Sequence, residues 1–203
     1  SLEPWMIDLS SPLKADTFTH VRIIVGIITG LCMTRLLNGL SRFVQQPNKN
    51  HVFFVHIGWT FFLLLDMVNF WWFQIRLANT VAWSYDLYLF ILFYASLYFF
   101  TCTILYPDKI DHINRMDDYF LSRRAWFFGL LIALNVTDLL DTTLKGKDYL
   151  AYLGLPYIMH ISVFVVLCGI AMRTRQLRFH KGFAAFAIVE ESIWAAFAYS
   201  SIV

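Results

Sequence analysis

The sequence predicts an all-α polytopic membrane protein, a bundle of six transmembrane helices, and three observations carry that reading. Of 203 residues, 59% are hydrophobic and only 15% are charged, against roughly 25% charged in a soluble domain. Apolar runs of spanning length, about 20 residues for a ~30 Å hydrocarbon core, recur along the whole chain. These runs are continuous rather than alternating, which argues against a transmembrane barrel, and the links between them are too short to hold a soluble domain. Residues 1–16 read as an exposed N-terminal tail and residues 17–203 as a single six-helix transmembrane domain. The tail lacks the basic stretch and short apolar core of a secretory signal.

The first span covers about residues 18–43, with Gly26, Gly30 and Thr34 recurring every four residues. Such a small-residue face lets helices approach closely. The turn QQPNKN ends it at residues 45–50. The second span, residues 51–76, reads HVFFVHIGWTFFLLLDMVNFWWFQIR. It carries His56, Asp66 and Asn69 inside an apolar run, where each charge costs at least ~2.5 kcal/mol and so has to face protein or trapped water. Trp71, Trp72 and Trp83 flank the next link, as aromatic residues do at a membrane–water interface.

The third span, about residues 83–106, opens at Tyr85-Asp86, holds Tyr94 and Tyr98 one turn apart, and closes at Tyr106-Pro107. The charged connection DKIDHINRMDDY (108–119) reads as a solvated loop or short surface helix. The fourth span, about residues 121–144, starts at Arg123-Arg124-Ala125-Trp126. It puts Asn135, Asp138 and Asp141 on one helical face by their spacing of three. The fifth, about residues 149–172, carries Pro156, Tyr157 and His160. A short basic link, RTRQLRFHK (173–181), leads to the sixth, residues 182–203, with Glu190-Glu191 near its centre.

Six spans put both chain ends on one side. The opposite side, with links 44–50, 107–122 and 173–181, holds ten lysines and arginines from Arg42 to Lys181. The terminal side holds five: Lys14, Arg22, Arg76, Lys145 and Lys147. The positive-inside rule then places both termini outside the cytoplasm. At 1.5 Å per residue, Arg35, Asn38 and His56 fall at similar depth near the cytoplasmic face. Asp66, Glu190 and Glu191 fall near mid-membrane, Asn135 and His160 centrally, and Asp86 and Asp138 in the outer half. An acidic middle-to-outer zone of this kind concentrates cations or protons. Glu190 and Glu191 are adjacent, about 100° apart on the helix, so they are expected to face different partners.

Several chemistries lack their signature. A net charge of +2 and the absence of a basic, aromatic-interleaved soluble run argue against a nucleic-acid partner. Cys32, Cys102 and Cys168 sit singly inside spans, as buried small apolar residues do. Asp138, His160 and Glu190 show no metal-ligand spacing, and His56 and His160 lie at different depths for a haem. Neither metal nor cofactor is therefore expected, and no lysine falls inside a span to hold retinal. No Walker, GxGxxG or GxSxG motif is present.

The pieces TRLLNGLSRF, HIGWTFFLLLDMVNFWW, YPD, YFLSRRAWFFGLL and LGLPY together resemble a family of small bacterial polytopic membrane proteins. That resemblance implies a compact multi-helix bundle in the bacterial inner membrane and carries no activity with it.

The residues point first to a cation or proton channel or transporter, working as a homo-oligomer in the lipid bilayer. Asp66, Asn69, Asp86, Asn135, Asp138, His160, Glu190 and Glu191 would line its path, and Arg35, Asn38 and His56 would form an inner gate. The alternative is a membrane sensor or partner subunit that binds a hydrophobic ligand between Trp59, Tyr94, Tyr98 and Trp194, with structural acids. An intramembrane enzyme would need Asp138 and His160 within hydrogen-bond reach in a solvated cleft, and a catalytic role is the weaker reading.

Overall fold

The computed structural model describes residues 12–45, 54–74, 84–107 and 116–200. The tail as far as residue 11, most of the 45–50 turn, the 76–81 link, Trp83 and residues 108–115 of the charged connection lie outside the described residues. Six helices make up the described chain: α1 (Pro12–Gln45), α2 (Phe54–Phe73), α3 (Tyr85–Leu105), α4 (Met116–Leu144), α5 (Lys147–Arg173) and α6 (Leu177–Ser200).

The helix ends follow local chemistry. Proline has no N–H to lose at a first helical position, and α1 begins at Pro12, so residues 12–16, read from the sequence as part of an exposed tail, are helical. Ser84 caps α3, its Oγ accepting from the Leu87 N–H at 3.2 Å. Asp117 and Asp118 fall in the first turn of α4, where carboxylates favour the helix dipole, so the end of the charged connection is drawn into the helix. α5 breaks at Gly154, whose φ of 60° suits glycine, two residues before Pro156, which a straight helix does not accommodate. Only residues 174–176 separate α5 from α6.

Five of the helices, α1 to α5, contain stretches long and apolar enough to cross a membrane; α6 is not among them. The packing nevertheless sets α6 lengthwise among them. Phe164, His160 and Tyr157 of α5 meet Phe183, Glu190 and Trp194 of α6 in reverse order. Trp59 and Asn69 of α2 meet Phe183 and Glu191 in the same order. Thus α6 is antiparallel to α5 and parallel to α2. The same alternation holds for α2 against α3, where Thr60, Asp66 and Phe70 face Tyr106, Tyr98 and Tyr94. This is a six-helix membrane bundle with successive helices up and down.

Apolar side chains face outward as well as inward. Ile27, Leu31, Phe93, Phe100, Val166 and Val189 are exposed, an apolar surface a soluble monomer does not carry. One end of the bundle collects Arg42, Arg123, Arg124, Arg173, Arg175, Arg178 and Lys181, and is termed the basic end below. α2 to α6 surround the bundle's interior, while α1 lies outside against α3 and α2. The buried face of α1 runs Val21, Val25, Thr29, Cys32 and Leu36, a spacing of three and four residues that follows a neighbouring helix.

Two close approaches depend on glycine. A Cβ at Gly58 would lie 2.9 Å from Ala184 of α6, and one at Gly39 would fall onto the ring of Tyr106, the residue that follows α3. Gly26 and Gly30 behave differently, since a Cβ at either meets nothing within 4 Å. The face they form is not used within the described chain.

Candidate functional site

The interior holds a polar chamber of about 80 Å³ between α2, α3, α4, α5 and α6. Its acids come from three helices: Asp66 on α2, Asp138 and Asp141 on α4, and Glu191 on α6. Asn69, Tyr94, Tyr98, Asn135, Tyr157, His160 and Lys145 complete the polar wall, and Phe62 and Phe164 line it too. At ~10–15 Å³ of such space per water, the chamber has room for several water molecules or a partly hydrated ion. It is far below the ~300–1,000 Å³ of a site for a drug-sized ligand.

Local sequence explains how each acid enters. Asp66 and Asn69 are three residues apart on α2, and Asn135 and Asp138 three apart on α4, so each pair shares a helical face. The carboxylates are held by neutral donors. The Tyr98 hydroxyl donates to Asp66 Oδ1 at 3.1 Å, and the Tyr94 hydroxyl to Asp138 Oδ1 at 3.2 Å. The Tyr157 oxygen lies 2.8 Å from Asp138 Oδ2 and 2.9 Å from Thr142 Oγ1. Asn69 donates to Glu191 Oε1 at 2.6 Å, joining α2 to α6. The kink at Gly154 precedes Tyr157 by less than one turn and so helps set the angle at which its ring enters.

Charge in the chamber is unevenly matched. Lys145 pairs with Asp141 at 2.5 Å, both nearly fully buried. His160 pairs with Glu190. Asp66, Asp138 and Glu191 have neutral partners in their hydrogen bonds. Three carboxylates in a low-dielectric interior require protons or a bound cation to balance them.

An aromatic layer closes the chamber toward the basic end. Trp59, with no exposed surface, meets Phe62, Phe127, Phe128 and Phe183 edge-on, at ring-centre distances of 5.4, 5.3, 5.3 and 5.1 Å. Phe62 and Phe164 stack at 5.4 Å and form the chamber floor. Beyond this layer, Arg35 and Arg42 donate to the Tyr106 and Pro107 carbonyls at 3.3 and 3.1 Å. These carbonyls follow the C-terminus of α3, where cations are favoured. His56 is fully buried, with Tyr106, Tyr119 and Phe120 rings around it.

The predicted pathway residues therefore divide. Asp66, Asn69, Asn135, Asp138, His160 and Glu191 share one chamber. Asp86 is exposed in the first turn of α3 and does not line it. Glu190 lines an apolar groove of about 400 Å³ between α5 and α6, with Pro156, Met159, Val163, Phe186 and Ile193. Arg35 and His56 meet at Tyr106, whereas Asn38 is exposed. Of the residues assigned to a ligand pocket, Tyr94, Tyr98 and Trp194 line the chamber, and Trp59 belongs to the aromatic layer. Asp138 and His160 share the chamber, but each is bonded to a different partner.

Glu190 and Glu191 take different hydrogen-bond partners, His160 and Asn69, yet with His160 they each bring one ligand atom within 4.8 Å of the others. The 100° between them is spanned by an imidazole from α5 lying in the angle. Expecting no metal rested on sequence spacing, which says nothing about donors meeting across two helices. Sequence reasoning gave no role to Tyr157, to Thr142 or Gln74 of the chamber wall, or to the Asp141–Lys145 pair. The i,i+4 spacing of that last pair was its legible signal.

No family model, curated protein or solved structure matches the chain.

Proposed function

We propose that the protein is an integral membrane channel or transporter that admits a cation or proton to the acidic chamber. One observation carries the reading: Asp66, Asp138 and Glu191, from three helices, share a water-sized cavity and are hydrogen-bonded by neutral donors. Intramembrane acids of this kind mark ion and proton pathways. The aromatic layer makes the described state closed toward the basic end, so passage requires Trp59, Phe62 and their neighbours to move. Arg35 and His56 lie beyond that layer, as an inner gate would.

The proposed setting is a bacterial inner membrane with both termini extracytoplasmic and the basic end toward the cytoplasm, as the positive-inside rule favours. A homo-oligomer is proposed on the open Gly26–Gly30 face of α1, where a second copy's helix would find no Cβ in its way.

The test is flux of protons and of mono- and divalent cations in proteoliposomes. Wild type and Asp86→Asn should conduct, and Asp138→Asn, which keeps the shape of the side chain and removes its charge, should lose at least about tenfold. Absence of flux under any gradient, with folded wild type, defeats the reading. A second reading then gains: a hydrophobic ligand. The 400 Å³ groove beside Trp194 has the volume for one, and a molecule co-purifying with the protein would identify it.

A further inference from the structure

The wall between chamber and groove carries a donor set that neither cavity explains alone. His160 and Trp194 border both spaces, Glu191 lines the chamber, and Glu190 lines the groove. One nitrogen of His160 and one oxygen from each glutamate lie within 4.8 Å of one another. Bonds of ~2.0–2.2 Å to a common ion require His160 and Glu190, hydrogen-bonded directly to each other in this structure, to part and admit the ion between them while Glu191 closes in. The site is half-buried: the His160 and Glu190 side chains are 14% and 22% exposed, and Glu191 is 7% exposed.

One further observation points to a ligand. Glu190 Oε2 is shielded and has no hydrogen-bond partner, which is costly for a carboxylate oxygen. The flanking groups also fix the donors. Trp194 stacks on the imidazole at 5.0 Å and 19°, and Asn69 holds one Glu191 oxygen. One imidazole with two carboxylates suits zinc, manganese or ferrous iron better than a thiophilic or an all-oxygen ion. The chamber's space supplies room for waters in the remaining coordination positions.

We propose that His160, Glu190 and Glu191 bind one divalent transition-metal ion at this wall. As a transported ion it rests on the reading of the chamber as a cation path; as a binding site it is tested by itself. The full chain, purified in detergent and stripped by chelator, is titrated with Co²⁺ and followed by its d–d absorption, then back-titrated with Zn²⁺. Wild type and Asp86→Asn should take up one Co²⁺ per chain, displaced by Zn²⁺. His160→Gln and Glu190→Gln should each weaken uptake by at least about tenfold, the scale on which metal sites respond to loss of supporting groups. Glu190→Gln neutralises a partly exposed side chain without changing its shape and keeps the test alive should His160→Gln misfold. No stoichiometric uptake by folded wild type, or uptake unchanged in Glu190→Gln, overturns the proposal. Proton or alkali-cation flux sensitive to Asp138→Asn, without Co²⁺ uptake, ends the metal site and keeps the conduit. Stoichiometric uptake without any flux supports the site and ends the conduit.

Discussion

Replacing Phe62 by alanine tests whether the aromatic layer is a barrier held by packing. Phe62 is 3% exposed, stacked on Phe164 and edge-on to Trp59. In a membrane bundle the unfolded reference is itself apolar, so the loss is one of packing rather than of transfer from water. A ring-sized void of about 100 Å³ at ~24 cal/mol per Å³ gives about 2.4 kcal/mol. Two lost ring contacts at ~0.5–1.5 kcal/mol each add about 1–3 kcal/mol. The sum, about 3–5 kcal/mol, should appear in reversible unfolding of the detergent-solubilised protein by a denaturing surfactant, followed by tryptophan fluorescence. Because Phe62 lines the chamber floor, the void extends the chamber toward the basic end, and ion leak in proteoliposomes should rise. A loss below about 1 kcal/mol with unchanged leak would refute the reasoning: the ring would be neither well packed nor part of the closure.

Other perturbations give separate checks. Lys145→Met leaves Asp141 buried without its cation and should cost about 3–5 kcal/mol in the same unfolding assay, with Lys145→Met/Asp141→Leu recovering most of it; equal losses in single and double variants would show that the pair is not the cause. Gly39→Ala drives a methyl into the Tyr106 ring, whose hydroxyl is anchored 2.7 Å from Thr60 Oγ1, and should cost about 1–3 kcal/mol as a lower melting temperature in detergent. Substituting Gly26 and Gly30 together by leucine should leave monomer stability nearly unchanged and reduce cross-linked oligomer; unchanged cross-linking would place any self-association elsewhere.

The sequence by itself determined the class of molecule, because membrane insertion depends on quantities local to each segment. Apolar length, interrupting prolines and asparagines, and flanking aromatic and basic residues are read one run at a time. They located six helices to within about six residues at the described ends, the larger misses being the starts of α1, α4 and α6, whose polar first turns wind into helix ahead of the apolar run. Asp66 and Glu191 were expected near mid-membrane, His160 centrally and Asp138 in the outer half, and the four line one chamber.

Helix rotation was what only the tertiary structure decided. With apolar residues on every face, periodicity does not say which side meets a neighbour. So the sequence left open that Asp86 faces out, that Trp59 packs into an aromatic layer rather than a pocket, and that Tyr157 reaches Asp138. The convergence of Glu190, Glu191 and His160 belongs to the same class. Neighbouring glutamates diverge on their own helix, and only the position and rotation of a second helix, fixed by Phe164 on Phe183 and Tyr157 on Trp194, brings a third donor between them.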